Sequence, residues 1–220
     1  MSNTISLQPL SNFTFSTKES QPEEDPSVAA RLQRLTNDYD AKGMRRTVEG
    51  VLVVHDHGHP HILMLQIANA FFKLPGHYLS PGEDESLGLK RRLDIQLTMD
   101  VNENTLPPGV SASGLSGASL GTDSFDLGGG DWEVGDCLGT WWRPNYETYM
   151  YPYTPPHVTK PKECKKLYLI HMPERKVLAV PKNMKLLAIP LFELYDNTAR
   201  YGPQLAALVT ALSKYDFVYL

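Results

Sequence analysis

Cysteine is scarce in this chain: of 220 residues only Cys137 and Cys164 carry a thiol, and their spacing fits no metal-ligand pattern. A disulfide framework and a structural zinc site are therefore not expected, and the usage suits a reducing compartment. Long apolar runs are also missing. Nothing approaches the roughly 20 residues of a membrane span, and the opening MSNTISLQPLSNFTF lacks the charged-then-apolar build of a signal peptide. The expectation is a soluble, intracellular protein with no membrane partner. A third lack is an excess of basic residues: 21 Lys and Arg stand against 25 Asp and Glu, a formal charge of −4. Indiscriminate polyanion binding, which rests on phosphate neutralisation, is disfavoured, so a nucleic-acid binder of this charge must read bases.

What is present is one domain's worth of core, 41% apolar residues in 220. Residues 1–25 form a polar, extended N-terminal segment in which Phe13 and Phe15 alternate as in a strand. The domain proper runs over 26–220. Ser27 reads as an N-cap, and Val28, Leu32, Leu35 and Tyr39 recur on one helical face that Gly43 would end, predicting an amphipathic helix packed on the core. Thr47 to Val54 and His61 to Gln66 read as strands around the turn Asp56 to Pro60. His55, His57, His59 and His61 alternate there, but Gly58 and Pro60 would interrupt the strand, so no metal site is expected.

A helix is predicted over Glu83 to about Thr98, with Leu89, Leu93 and Leu97 facing the core and Gly88 weakening it locally. Residues from about 100 to 131 shift to Gly, Ser and Pro and read as a flexible insert. Trp132 to Pro144 resumes strand character, and Lys165 to Met172 with Lys176 to Val180 read as a hairpin around Pro173-Glu174. Two helices are predicted over Pro190 to Asp196 and Pro203 to Lys214. The order gives an α/β class, an α/β/α sandwich with a mixed sheet.

The run PGHYLSPGEDESLGLKRRLDIQLT, within Lys73 to Thr98, resembles a Nudix box, the pattern G-x5-E-x7-R-E-U-x-E-E-x-G-U with U apolar. Pro75, Gly76, Gly82, Glu83, Arg91 and Leu93 align without a gap. His77 stands for the first motif glycine, Arg92 for the Glu after the Arg, Ile95-Gln96 for the Glu-Glu pair and Thr98 for the last glycine. Hydrolysis in such a site needs hard divalent cations held by several carboxylate oxygens on one helical face. A face carrying Arg92, Ile95 and Gln96 cannot supply them, so no enzyme activity, metal or cofactor is expected. Glu83, Asp84 and Glu85 read as complements to the positive end of the helix.

A closer resemblance rests on SVAARLQR (Ser27 to Arg34), GMRRTVEGVLVVH (Gly43 to His55), FFKLPG (Phe71 to Gly76), WWRPN (Trp141 to Asn145), YPY (Tyr151 to Tyr153), HVTKPKECKKLYL (His157 to Leu169), VPKN (Val180 to Asn183) and PLFELYDN (Pro190 to Asn197). From Leu7 to Leu220, insert excepted, these are similar to the small Nudix subunit of pre-mRNA cleavage factor Im, also called cleavage and polyadenylation specificity factor subunit five. The resemblance implies a Nudix fold and a non-catalytic, homodimeric, nuclear protein that binds UGUA elements in single-stranded pre-mRNA. It also implies a larger partner subunit carrying an RNA recognition motif and, more widely, poly(A) polymerase and other 3′-end factors.

Carried over residue by residue, the resemblance makes Phe71 the base-stacking ring. Phe72, its neighbour, points to the other face of the strand. Glu49 accepts hydrogen bonds from a base edge, Arg31 helps fix the same bases, and Glu23 and Tyr201 lie near the RNA. The family's Thr-Thr before Phe-Phe is Asn69-Ala70 here. A hydroxyl contact is therefore lost and only backbone groups remain at Ala70, which bears on sequence preference. Tyr151 and Tyr153, among prolines, match the partner-binding surface. The basic run Lys160, Lys162, Lys165 and Lys166 reads as a solvated face outside the site. A residual nucleotide hydrolase or sensor, and an interaction subunit with an empty cleft, are the alternative readings.

Overall fold

A computed structural model describes residues 3–22, 24–98 and 132–220. The insert expected at about 100–131, and Glu23, lie outside the described residues. The chain begins with strands β1 (Asn3–Leu7) and β2 (Phe13–Lys18) and helix α1 (Val28–Lys42). Strands β3 (Arg45–Asp56), β4 (His59–Ile67), β5 (Phe71–Lys73) and β6 (Gly76–Tyr78) follow, then helix α2 (Glu85–Leu97). Strands β7 (Glu133–Arg143), β8 (Glu163–His171), β9 (Lys176–Pro181) and β10 (Met184–Pro190) lead to four single-turn helices. These are α3 (Leu191–Leu194), α4 (Thr198–Tyr201), α5 (Pro203–Ala206) and α6 (Leu208–Leu212), and strand β11 (Tyr215–Tyr219) closes the order.

The central sheet runs β10-β4-β3-β8-β7, with β5 paired to β4 and β6 to β3. Only β3 and β8 are parallel within it, so the sheet is mixed. Its central strands are apolar on both faces because both are covered. Val51, Val53, Ile62, Met64, Leu167 and Leu169 face one core with Leu205, Leu208 and Leu212 of the C-terminal helices. The residues between them, Leu52, Val54, Leu63 and Leu65, face a second core with Leu89, Leu93 and Leu97 of α2. This is the expected α/β/α sandwich.

Several elements depart from the sequence expectation. Strands β8 and β9 do not form a hairpin: both edges of β8 are already taken by β3 and β7, so β9 pairs in parallel with β2 instead. The two C-terminal helices are broken into four turns, where Asp196 (φ 50°) and Gly202 (φ 81°) leave helical geometry and Pro203 restarts it at a first turn. Helix α1 does not lay its whole apolar stripe on the core. Leu35 is buried, but Val28 and Leu32 are 76% and 42% exposed, because only the C-terminal half of the helix reaches the domain. Nor do Gly58 and Pro60 interrupt the hairpin. His57 and Gly58 (φ 48° and 75°) form a two-residue turn, and pairing resumes at once with Asp56 opposite His59 and His55 opposite Pro60.

Gly88 has a use the sequence did not reveal. A Cβ there would lie 2.2 Å from the Leu79 side chain, so its absence lets the loop before α2 press against the helix. Asp84 caps that helix by accepting from Leu87 N at 2.9 Å.

Glu163, 2% exposed, pins three strands where they start or end. It accepts from Arg45 (2.9 Å) at the start of β3, from Arg143 (2.8 Å) at the end of β7 and from Thr47 (2.6 Å). Burial opposes its ionisation, but the two guanidinium groups and the Thr47 hydroxyl outweigh burial and hold the carboxyl at about 2. Replacing Glu163 by Gln leaves buried cations uncompensated and is expected to destabilise the domain by about 3–5 kcal/mol in urea unfolding. The folded value lies below the usual 4.5. Wild-type stability from this group is therefore complete above that value and is lost as pH falls from 4.5 towards 2, and Glu163→Gln should lack that part of the acid transition.

Candidate nucleic-acid interface

Alternation along β3 puts Glu49 on the same face as Val51 and Val53, towards the C-terminal helices. It is only 7% exposed, and its carboxylate accepts from Lys165 Nζ at 2.6 Å. Lys165 also reaches Gln204 Oε1 at 3.4 Å, while Gln204 Nε2 is buried with no hydrogen-bond partner. Glu49, Phe72, Lys73, Lys165, Tyr201 and Gln204 line one cavity of about 350 Å³. Burial lowers the Lys73 ammonium below its ordinary value, against the opposing pull of Glu49.

Phe72 packs tilted on Tyr201, ring centroids 4.8 Å apart, so the inner ring of the Phe pair is a wall of the cavity. Tyr201 is itself buried, donates its hydroxyl to Glu193, and is pushed up to about 12 by burial and that bond. Phe71 points the other way and is 72% exposed. The turn before it holds Ala68 and Asn69 at φ 50° and 57°, closed by Ala70 N donating to Ile67 O at 3.1 Å. Asn tolerates this left-handed geometry, whereas Ala68 adopts it at a cost of about 1–2 kcal/mol. The turn thus holds an aromatic ring in water on the strand that walls the Glu49 cavity, whose lining sets Lys73, Arg143 and Lys165 beside that one acid.

The structure brings together Glu49, Phe72 and Tyr201, with Ala70 and Phe71 on the adjoining turn and strand. Arg31 stands exposed on α1, outside the cavity lining. Glu23 lies outside the described residues. Tyr151 and Tyr153 belong to a ladder with Tyr149, centroids 4.9 and 5.8 Å apart, and Tyr149 also lines the Glu49 cavity. Sequence reasoning missed Lys73, Tyr149, Gln204 and above all Lys165. The run Lys160 to Lys166 is not simply a solvated face: Lys165 pairs with Glu49, Lys166 with Glu85, and Lys162 lies 3.6 Å from the Tyr39 ring. The signal available was period two, since Lys165 shares a strand face with Leu167 and Leu169.

The motif loop is held by its own acids. Glu83 accepts from Ser80 N at 2.7 Å and pairs with Arg91. Glu85 takes Arg46 (3.0 Å), Lys166 (2.8 Å) and the Tyr168 hydroxyl, and though burial opposes them these donors hold it at about 2. Ile95 is exposed. Gln96, in the place of a motif glutamate, grips one residue from both sides, accepting from Gly76 N (2.7 Å) and donating to Gly76 O (3.0 Å). Burial, then the charges of Arg92, Lys73 and Arg45, push His77 down to about 4, so it is neutral near pH 7. Among the described residues no three His, Cys, Asp or Glu side chains cluster as a metal site would require.

A carboxylate at position 96 could accept from Gly76 but not donate. Gln96→Glu is therefore expected to lose about 1–3 kcal/mol of stability at pH 7. Part of that loss should return in denaturant titrations at acid pH, where the protonated Glu regains a donor.

Residues 3–215 match the NUDIX_2 family model, described as nucleotide hydrolase. The chain is 51% identical over 217 residues to the pre-mRNA cleavage factor Im 25 kDa subunit 2 of Arabidopsis thaliana, covering 99% of this chain and 96% of that one. It is 44% identical to subunit 1 of the same plant, over 97% and 85% of the two chains. It is also 41% identical to the cleavage and polyadenylation specificity factor subunit 5 of Dictyostelium discoideum, over 98% of each. With its mixed sheet sandwiched between helices and its box in register, the chain belongs to the Nudix-fold family of cleavage factor Im 25 kDa subunits.

Proposed function

We propose that this protein is a non-catalytic, RNA-reading subunit of a nuclear pre-mRNA cleavage and polyadenylation factor, selecting UGUA-type elements as its family resemblance implies. The observation that carries the reading is a cavity holding an acid, Glu49, and walled by Phe72, whose strand neighbour Phe71 offers an exposed ring on the other face of β5. Single-stranded RNA is bound by splaying bases onto aromatic rings and bonding their exposed edges. An acid repels phosphate and accepts from base N–H groups, so Glu49 favours base reading over backbone binding. Lys73, Arg143 and Lys165 supply donors for base carbonyls in the same cavity. Catalysis is disfavoured because Glu83 and Glu85 are tied to Arg91, Arg46 and Lys166, and Gln96 is tied to Gly76.

The tyrosine ladder supports the remainder of the reading. Tyr149, Tyr151 and Tyr153 present a mostly exposed aromatic surface next to Pro144 and Pro155, suited to a larger subunit with an RNA recognition motif. As a homodimer the protein would present two RNA sites, so paired elements on one transcript would gain by effective concentration.

Fluorescence-anisotropy titration of a short UGUA RNA against the same RNA with G replaced tests the reading. Wild type is expected to discriminate. Phe71→Ala should weaken UGUA binding by about 1–3 kcal/mol, the worth of one stacked base. Equal, weak binding of both RNAs, or Mg2+-dependent nucleotide turnover that Glu83→Gln abolishes, would overturn it.

A further inference from the structure

A second cleft, of about 310 Å³, opens between the C-terminal half of α1, the β6–α2 loop and the segment after β7. Three tyrosines line it, Tyr39, Tyr78 and Tyr146, together with Lys42, Arg45 and Lys162. Each aromatic wall carries a cation. Lys162 Nζ lies 3.6 Å from the Tyr39 centroid and 5.6 Å from that of Tyr146, and the Arg45 guanidinium lies 4.2 Å from that of Tyr78. Arg45 spends one nitrogen on Glu163, while its Nε and Nη1 have no hydrogen-bond partner. Asp38 is the sole acid of the lining, so on a chain of net charge −4 this cleft is locally cationic.

Rings for stacking and cations for phosphate are the two elements of a single-strand track. The cleft and the Glu49 cavity share no lining residue, but one buried side chain ties a wall of each together. Glu163 binds Arg45, which lines the cleft, and Arg143, which lines the cavity. Both sites hang on β3, where Arg45 and Glu49 are four residues, about 13 Å, apart at 3.3 Å per residue.

We infer that the Tyr39–Tyr78–Tyr146 cleft binds nucleotides of the RNA chain flanking the element read at Glu49, stacking a base and neutralising its phosphate without a metal. The inference rests on the RNA reading proposed above and extends the footprint beyond four bases.

Affinities of the bare tetranucleotide UGUA and of UGUA with several nucleotides on each side separate the two readings. Wild type is expected to bind the longer RNA at least about tenfold more tightly. In Tyr146→Leu and Lys162→Gln that gain should fall to within about twofold of none while tetranucleotide affinity is kept, which also reports an intact fold. Lys162→Gln should also reduce the slope of log affinity against log salt by about 0.7 for the longer RNA. A flank gain that persists in both variants, or no gain in wild type, overturns this inference and leaves the base-reading cavity standing. Failure of both RNAs to bind overturns both. Tight binding of free AMP or UMP that Lys162→Gln abolishes, without any flank gain, would make the cleft a mononucleotide site and overturn the RNA assignment.

Discussion

Much of the domain hangs on Gly76. Its φ of 148° and its contact with β3, where a Cβ would stand 2.1 Å from Val48 O, admit no side chain. The Gln96 carboxamide then closes on its N–H and C=O together, tying the loop to α2. Upstream, Pro75 O accepts from Gly50 N at 2.8 Å, and downstream Leu79 N donates to Arg46 O at 2.8 Å. From this fixed point the chain runs back through Leu74 and Lys73 to the cavity wall and forward to the α2 cap. The geometry of the candidate site follows from the rigidity of the loop.

The same loop is knit together by its own charges. Its acids remain, but each answers to a neighbouring cation: Glu83 to Arg91, Glu85 to Arg46 and Lys166. Arg46 and Lys166 come from adjacent, parallel β3 and β8, so Glu85 fastens the helix start across two strands. These ion pairs hold the loop, the helix start and the sheet together. Glu49, the acid of the candidate site, sits on the opposite face of the sheet from α2 and is accompanied by a lysine. The candidate site and the helix-fastening acids thus lie on opposite faces of the sheet.

The order of strands and helices was legible because its signals are local. Period two in β3 and β4, period 3.6 in α2, and Ser27 as a cap all act within a few residues, and α1 is indeed capped by Ser27 accepting from Ala30 N. What was not legible depends on distant parts. Whether β9 pairs with β8 is decided by the occupancy of β8's edges, and whether Val28 is buried depends on how far the domain extends beneath α1. In the candidate site, Phe72, Glu49 and Tyr201 were placed by family resemblance. Lys165 escaped because its identity as a cavity lysine needs Glu49 and Gln204, 116 and 39 residues away. Strands β10 and β11 are short alternating runs that a helix-minded reading of the C-terminal region passes over.

Two parallel pairings, β1 with β11 and β2 with β9, join distant residues: Asn3 lies opposite Tyr215, nearly the whole chain away, and Phe13 opposite Lys176. Ile5 and Leu7 are buried in the core that α5 and α6 also fill. Such contacts cannot form until the partner strand has been made, and loop-closure entropy delays them further. Strands β1 and β2 therefore wait, with Ile5, Leu7 and Phe13 unmatched, for partners far along the chain. Each of the two cores is thus closed by a strand whose partner lies in a distant part of the chain.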